Sequence, residues 1–225
     1  MHPSIWINFH VERAATWAPR AEFRGHRDRV TALAFGPDGR LYSGGLDTTV
    51  LAWDVRPPRP AGNAPLTAAW NTLTDADART AFVAQGRFLA AADEAVEFLG
   101  GKLKPAESVA PERITRWIGD LGSADFATRE RAGRELAAIG RPAGDALRAA
   151  EKSASPEARK RAGDLLAALD RRALTPEEIR DLRSVEVLGW IGTPGACGLL
   201  DRLTQGDPTS PVTQAARRQP KAGRK

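Results

Sequence analysis

The chain has 225 residues, of which 42% are hydrophobic and 27% charged, enough for one large domain or two small ones with a real core. A single cysteine, Cys197, excludes an intramolecular disulfide, and no stretch approaches the ~18 apolar residues of a membrane span. The formal net charge is +5, but the segment from Gln205 onward carries Arg217, Arg218, Lys221, Arg224 and Lys225 against Asp207 alone, so most of the basicity sits in the tail.

Read in chain order, "MHPSIWINFH" lacks a basic segment leading into an apolar one and is not a secretory signal. A soluble cytoplasmic protein is the expectation. Residues 1–22 hold one or two more strands, "SIWINFHV" at most. Then come short alternating runs, "VTALAF", "LYSGG" and "TVLAWDV". They are separated by "GPDG" at 36–39 and "SGGLDTT" at 43–49, which supply turn residues. Val30, Ala32 and Ala34 alternate with Thr31, Leu33 and Phe35, so both faces of that strand are partly apolar, which suits a strand sandwiched between neighbouring sheets. "RPPRPAGNAP", residues 56–65, breaks any regular element and reads as a linker.

From Leu66 to about Ala216 apolar residues recur at helical spacing, and seven or eight helices are expected. Thr74 with Asp77 three residues on has a capping-box pattern. Ser155-Pro156, Thr175-Pro176 and Thr193-Pro194 are N-caps with proline at the first helical position, Glu178 completing a box in the second. Gly140, Gly192 and Gly206 stand where C-terminal caps are expected. "RERAGRELAAIGRPAGDAL", from Arg129, can be laid over "LRSVEVLGWIGTPGACGL". Ile139-Gly140 then falls on Ile191-Gly192, Pro142 on Pro194, Leu136 on Leu188, and Leu147 on Leu199. Each copy is helix, Ile-Gly-x-Pro turn, helix, the kind of pair that stacks in solenoids.

The stretch Phe23–Val55 resembles a WD-repeat (WD40-type) β-propeller blade. Gly25-His26 and Trp53-Asp54 stand at the family's Gly-His and Trp-Asp positions, and "VTALAFGPDGRLYSGGLDTTVLAWD" follows its pattern nearly position by position. The resemblance implies a buried structural hydrogen-bond network of His26, Ser43, Asp47 and Trp53. Residues 66–216 resemble the helical region that follows WD repeats in planctomycete-type bacterial proteins, carried by "DADARTAF", "AVEFLGGKLKP", "RITRWIGDLGSADFATRERAGRELAAIG" and "LRSVEVLGWIGTPGACGLL". The fold expected is mixed: an N-terminal antiparallel β-sheet, a single WD-repeat propeller blade, plus a C-terminal all-α HEAT-like helical-repeat domain. The boundaries expected are 1–55 for the blade with its preceding strands, 56–65 for the proline-rich linker, 66–216 for the helical domain and 217–225 for a disordered basic tail.

A propeller closes with about four to eight blades. One blade alone implies the C-terminal end of a longer WD-repeat protein, or a piece completing a propeller in trans. Ser43, His26 and Asp47 could be misread as a nucleophile with an acid–base pair, but inside a blade pattern they read as structural. His2 and His10 have no cysteine or carboxylate at metal spacing. Trp70, Trp117 and Trp190 read as packing anchors, "RERAGRE" at 129–135 as a solvated helix face with intrahelical pairs, and Cys197 as a buried, inert thiol. No P-loop, GxGxxG, HExxH or CxxC occurs. The expectation is therefore a scaffold that is not an enzyme, with no catalytic, cofactor or metal residues and no membrane. Its partners would be other proteins or the missing propeller blades. Nucleic-acid association through the tail and the Arg-rich helices is the alternative.

Overall fold

The computed structural model describes residues 8–12, 19–60, 62–152 and 155–219, and for residues 8–12 and 19 the backbone alone. His2 and the His10 side chain lie outside the described residues. An N-terminal part made of antiparallel sheet is followed by a mostly helical C-terminal part. By contacts the chain divides into two compact units, Met1–Phe98 and Leu99–Lys225.

In the first unit, β1 (Asn8–Glu12) and β2 (Pro19–Arg24) form an antiparallel pair whose register shifts between Val11 and Glu12. A separate three-stranded antiparallel sheet follows, in the order β3 (Val30–Phe35), β4 (Leu41–Gly45), β5 (Val50–Trp53). The β3–β4 turn closes where Gly39 N–H donates to Gly36 O at 3.0 Å, with Gly39 at a φ of 74°. Register places Leu33 opposite Ser43 and Phe35 opposite Leu41, then Leu41 opposite Trp53 and Ser43 opposite Leu51. Because side chains alternate at period two, these six residues share one face; Ala34, Tyr42 and Ala52 share the other. Leu41 and Ser43 are buried, whereas β3 is exposed along both faces from Thr31 to Phe35. The apolar character legible on both its faces is present, but within this chain nothing sandwiches it.

Helices α1 (Leu66–Thr72) and α2 (Ala78–Ala90) pack together, and α2 also packs on β2. The start of α2 differs from the expected box. Asp77 itself is the N-cap, accepting from Arg79 N at 3.2 Å and Thr80 N at 3.0 Å, while Thr74 Oγ1 donates back to Asn71 O. A carboxylate with two oxygens satisfies two of the orphan N–H groups at once, which Thr74 cannot do. Buried Trp70 meets Phe98 edge-on at 5.9 Å, and Phe98 lies 6.2 Å from buried Phe88. The stretch 56–60, without helix or strand, lies against α2: a Cβ at Gly86 would fall 1.9 Å from Pro58 O, so only glycine admits that backbone.

Helix α3 (Ala92–Lys102) runs across the division. The second unit continues with α4 (Pro111–Asp120), α5 (Phe126–Ile139), a 3-10 turn Arg141–Ala143, α6 (Gly144–Ala150) and α7 (Pro156–Arg171). Ala132 and Leu136 of α5, Leu147 of α6, and Ala158, Ala162 and Leu166 of α7 recur at helical spacing and close one core. Arg161 of α7 donates at 2.7 Å both to Glu157 of its own helix and to Glu130 of α5. The "RERAGRE" segment is thus engaged across helices as well as solvated, because α5 and α7 lie side by side. The chain ends in α8 (Pro176–Ile191), α9 (Pro194–Leu203) and α10 (Pro211–Arg218), which pack on one another.

The helix punctuation of this unit follows the sequence closely. Ser155 accepts from Ala158 N, Thr193 from Ala196 N, and Thr175 with Glu178 forms a complete capping box. Gly140 and Gly192 are C-caps, but Gly206 is not, since α9 ends at Leu203 with Thr204 as its C-cap. Ten α-helices are present among the described residues rather than seven or eight: Ala91 alone separates α2 from α3, and α1 and α6 have only seven residues each. The expected tail from 217 is helical to Arg218, whose neighbour Arg217 donates to Thr204 O at 3.0 Å. Residues 220–225 lie outside the described residues.

Candidate functional site

The sheet β3–β5 and the segment before it hold a connected polar cluster. The bend after β2 carries His26, β4 carries Ser43, the β4–β5 turn carries Asp47, and β5 carries Trp53. The structure brings all four together. His26 Nε2 lies 2.7 Å from Ser43 Oγ, and His26 Nδ1 lies 3.1 Å from both Asp47 carboxylate oxygens. Trp53 Nε1 donates to Ser43 Oγ at 2.7 Å.

The direction of each bond follows from what the groups can do. An ionised carboxylate only accepts, so His26 Nδ1 donates to Asp47. The other nitrogen of a neutral imidazole then accepts, so the Ser43 hydroxyl donates to Nε2. Ser43 Oγ keeps its lone pairs for the Trp53 N–H, which can only donate. Every member is satisfied and no proton is left over, which is the condition under which a buried polar network rigidifies its surroundings.

Asp47 is the hub. Its carboxyl is held well below the usual carboxylate range, first by the Arg27 backbone N–H at 2.7 Å, then by the Thr49 hydroxyl at 2.7 Å, with His26 and the Thr49 N–H adding to the effect. Thr49 is a fifth member that the sequence reading missed. It stands two residues after Asp47, and an Asp-x-Thr turn, in which the carboxylate accepts from both the N–H and the hydroxyl of the threonine, would have signalled it. The turn is tight: Gly45 N–H donates to Thr49 O at 3.1 Å, and Thr48 sits at a φ of 64°. Gly45 has no room for a side chain, since a Cβ there would lie 2.6 Å from His26 Nδ1. Phe23 of β2 closes the cluster from outside, its ring edge-on to Trp53 at 5.5 Å.

The Ser–His–Asp connectivity is that of a hydrolytic triad, but the setting differs. Ser43 is 1% exposed and His26 3%, and Ser43 Oγ already accepts the indole N–H. A nucleophile needs an open line to a carbonyl carbon and donors for the oxyanion; here the serine is enclosed and its oxygen is occupied.

Elsewhere, Trp70 is buried and Trp117 is half-buried under the Arg113 guanidinium, 4.9 Å from its ring centre; Trp190 is likewise half-buried. Cys197 is half-buried rather than buried, its thiol 3.8 Å from Gly192 O, because the first turn of α9 stands at the surface. Among the described residues no group of three or more His, Cys, Asp or Glu could hold a metal ion, and no helix is long and apolar enough to cross a membrane.

Comparison with known proteins gives the same stretch of chain. Residues 17–54 match the family model "WD domain, G-beta repeat". Protein groucho of Drosophila melanogaster is 49% identical over 39 residues, which is 17% of this chain and 5% of that protein. POC1 centriolar protein homolog A of Danio rerio is 44% identical over 36 residues, 16% of this chain and 9% of that protein. The chain thus spans less than a tenth of either relative's length. No solved structure matches the chain. A WD40 repeat suggests a protein-binding scaffold role.

Proposed function

We propose that the protein is a non-catalytic, cytoplasmic scaffold in which the WD40 repeat works beside further repeat sheets, belonging to a longer polypeptide or a partner, and the helical part supplies a HEAT-like module of paired helices. In this reading His26, Ser43, Asp47, Thr49 and Trp53 make the repeat rigid and take no part in a reaction. One observation carries the proposal: the side-chain bonds of the His26, Ser43, Asp47, Thr49 and Trp53 cluster close on one another, yet the sheet's apolar surface is uncovered. Phe35 is 68% exposed and Leu33 52% on the face that holds Ser43, and Val50 is 72% exposed on the other. Apolar side chains on both faces of a three-stranded sheet need further protein to cover them. The helix–glycine–helix pairs around Gly140 and Gly192 support the helical module.

Photo-crosslinking amino acids placed at Phe35 and at Val50 of the full chain, with exposed Arg131 of α5 as control, test the proposal in cells. Crosslinks from the two sheet positions to the apolar sheet surface of another repeat, well above the control, are expected. Crosslinking at Phe35 and Val50 no stronger than at Arg131 removes this reading.

A further inference from the structure

Helix α2 carries a stripe of Arg79, Val83, Ala84 and Arg87, four residues at the spacing of one helix face. Together with Ala64 and Ala68 it lines an open-sided trough of about 710 Å³, within the roughly 300–1,000 Å³ of small-ligand sites. The floor is apolar, and Val83 is 46% exposed there. The trough lies wholly within the first unit and is separate from the Ser43 cluster.

Its polar features are two cations. Arg87 is only 9% exposed. Its Nε donates to Ala64 O, and among the described residues no carboxylate forms an ion pair with it. Its two remaining nitrogens are not among the buried atoms that lack a partner, so they face the open trough, and they form the fork that fits a carboxylate in two parallel bonds. The other lining donors are already used: Thr72 Oγ1 donates to Ala68 O, and Thr80 Oγ1 to Asp77. No acidic residue lines the trough. Arg79 stands about 12 Å from Arg87 along the helix axis. Asp77, at that same end, would repel an anion placed there, so the headgroup belongs at Arg87.

We propose that this trough binds an apolar monocarboxylate of medium chain length. Its carboxylate pairs with Arg87 and its hydrocarbon lies along Ala64, Ala68, Val83 and Ala84 toward Arg79. Such a ligand supplies the missing counter-ion and covers the exposed valine at once. Neither half of that match depends on the scaffold role above.

The test is calorimetric titration of the full chain with sodium decanoate below its micellar concentration, with 1-decanol as the uncharged control. One-to-one saturable binding is expected, at least tenfold tighter than decanol, with amide NMR shifts at Ala68 and Ala84. Arg87→Met is expected to weaken decanoate at least tenfold and to leave decanol unchanged. Val83→Asp, at an exposed position that the fold does not rely on, is expected to weaken decanoate at least tenfold, so the test stands even where Arg87→Met fails to fold. The proposal is overturned by the absence of saturable decanoate binding, by decanol binding as tightly, by full affinity in Val83→Asp, or by shifts elsewhere. Binding of an acidic amphipathic peptide in place of decanoate would also overturn it, assigning the trough to a polypeptide.

Discussion

Trp53 Nε1 reaches Ser43 Oγ at 2.7 Å although the two residues are not opposite one another: Ser43 faces Leu51 across the β4–β5 pair, and Trp53 faces Leu41. The bond is therefore diagonal, within reach of a long aromatic side chain, and it locks register as well as satisfying two buried polar atoms. Ser43→Ala leaves both the indole N–H and His26 Nε2 without their partner and is expected to cost about 1–3 kcal/mol. Trp53→Phe removes the donor and leaves Ser43 still donating to His26, so about 1 kcal/mol from the lost bond is expected, besides any change in packing. In a double-mutant cycle read by hydrogen exchange of the β4 amides, the two losses should sum to more than the double variant loses. Strict additivity would mean that the bond contributes nothing.

The Asp47 carboxyl sits below its ordinary value in the folded chain because Arg27, Thr49 and His26 all bond its charged form. A group depressed in this way contributes fully above its unfolded value, about 3.9. Its contribution drains away as pH falls from there toward the folded value, since the unfolded chain takes up the proton first. The sheet is thus expected to hold its stability down to about pH 4 and to lose it below. Asp47→Asn should flatten part of that acid limb, monitored by Trp fluorescence along a pH series. Part of the slope remains in the variant, because Asp38 and Asp54 are also depressed, by Arg40 N–H and by Arg56 respectively. An unchanged acid limb in Asp47→Asn would show that the network does not respond to that carboxyl.

Thr48 is a β-branched residue at a φ of 64°, where L side chains other than Asn and Asp are seldom found. The turn is held there by Thr48 N–H donating to Gly45 O at 3.2 Å and by the bonds of Asp47 and Thr49 on either side. Thr48→Gly is expected to stabilise the repeat by about 1 kcal/mol, the strain relieved exceeding the entropy that glycine adds to the unfolded chain. Urea unfolding followed through the β5 amides measures it, and a loss of stability would show that the threonine side chain holds the turn.

What could be read from the sequence divides by range. The strands and their turns were legible because a motif with fixed spacings encodes them, and the caps at Ser155, Thr175 and Thr193 because each is settled within four residues; the network of His26, Ser43, Asp47 and Trp53 was an implication of the family resemblance rather than of the spacing. Thr49 was within reach by the same local logic. The trough beside Arg87 was not legible, because it exists only once Ala64 is folded back over α2. Nor was the packing of Pro58 on Gly86, where a stretch that composition marks as a linker lies against a helix. Proline content says that such a segment forms no helix or strand; it does not say what it rests on.

The two Ile-Gly-x-Pro turns, alike in sequence, differ in backbone, and that difference is testable. Gly192 has φ 63° and ψ 8°, the left-handed C-cap, and Thr193 caps α9 directly after it. Gly140 has φ 66° and ψ −125°, and a 3-10 turn intervenes before α6. Asparagine tolerates the first conformation but not the second, which only glycine adopts readily. Space does not decide the matter, because a Cβ at Gly140 meets nothing nearer than Arg172 Nη1 at 3.5 Å. Gly192→Asn is expected to cost about 1 kcal/mol, and Gly140→Asn about 1–3 kcal/mol, the larger loss in thermal unfolding of the full chain. Equal losses would mean that the second turn relaxes into the left-handed form once glycine is gone, making the two copies structural equivalents after all.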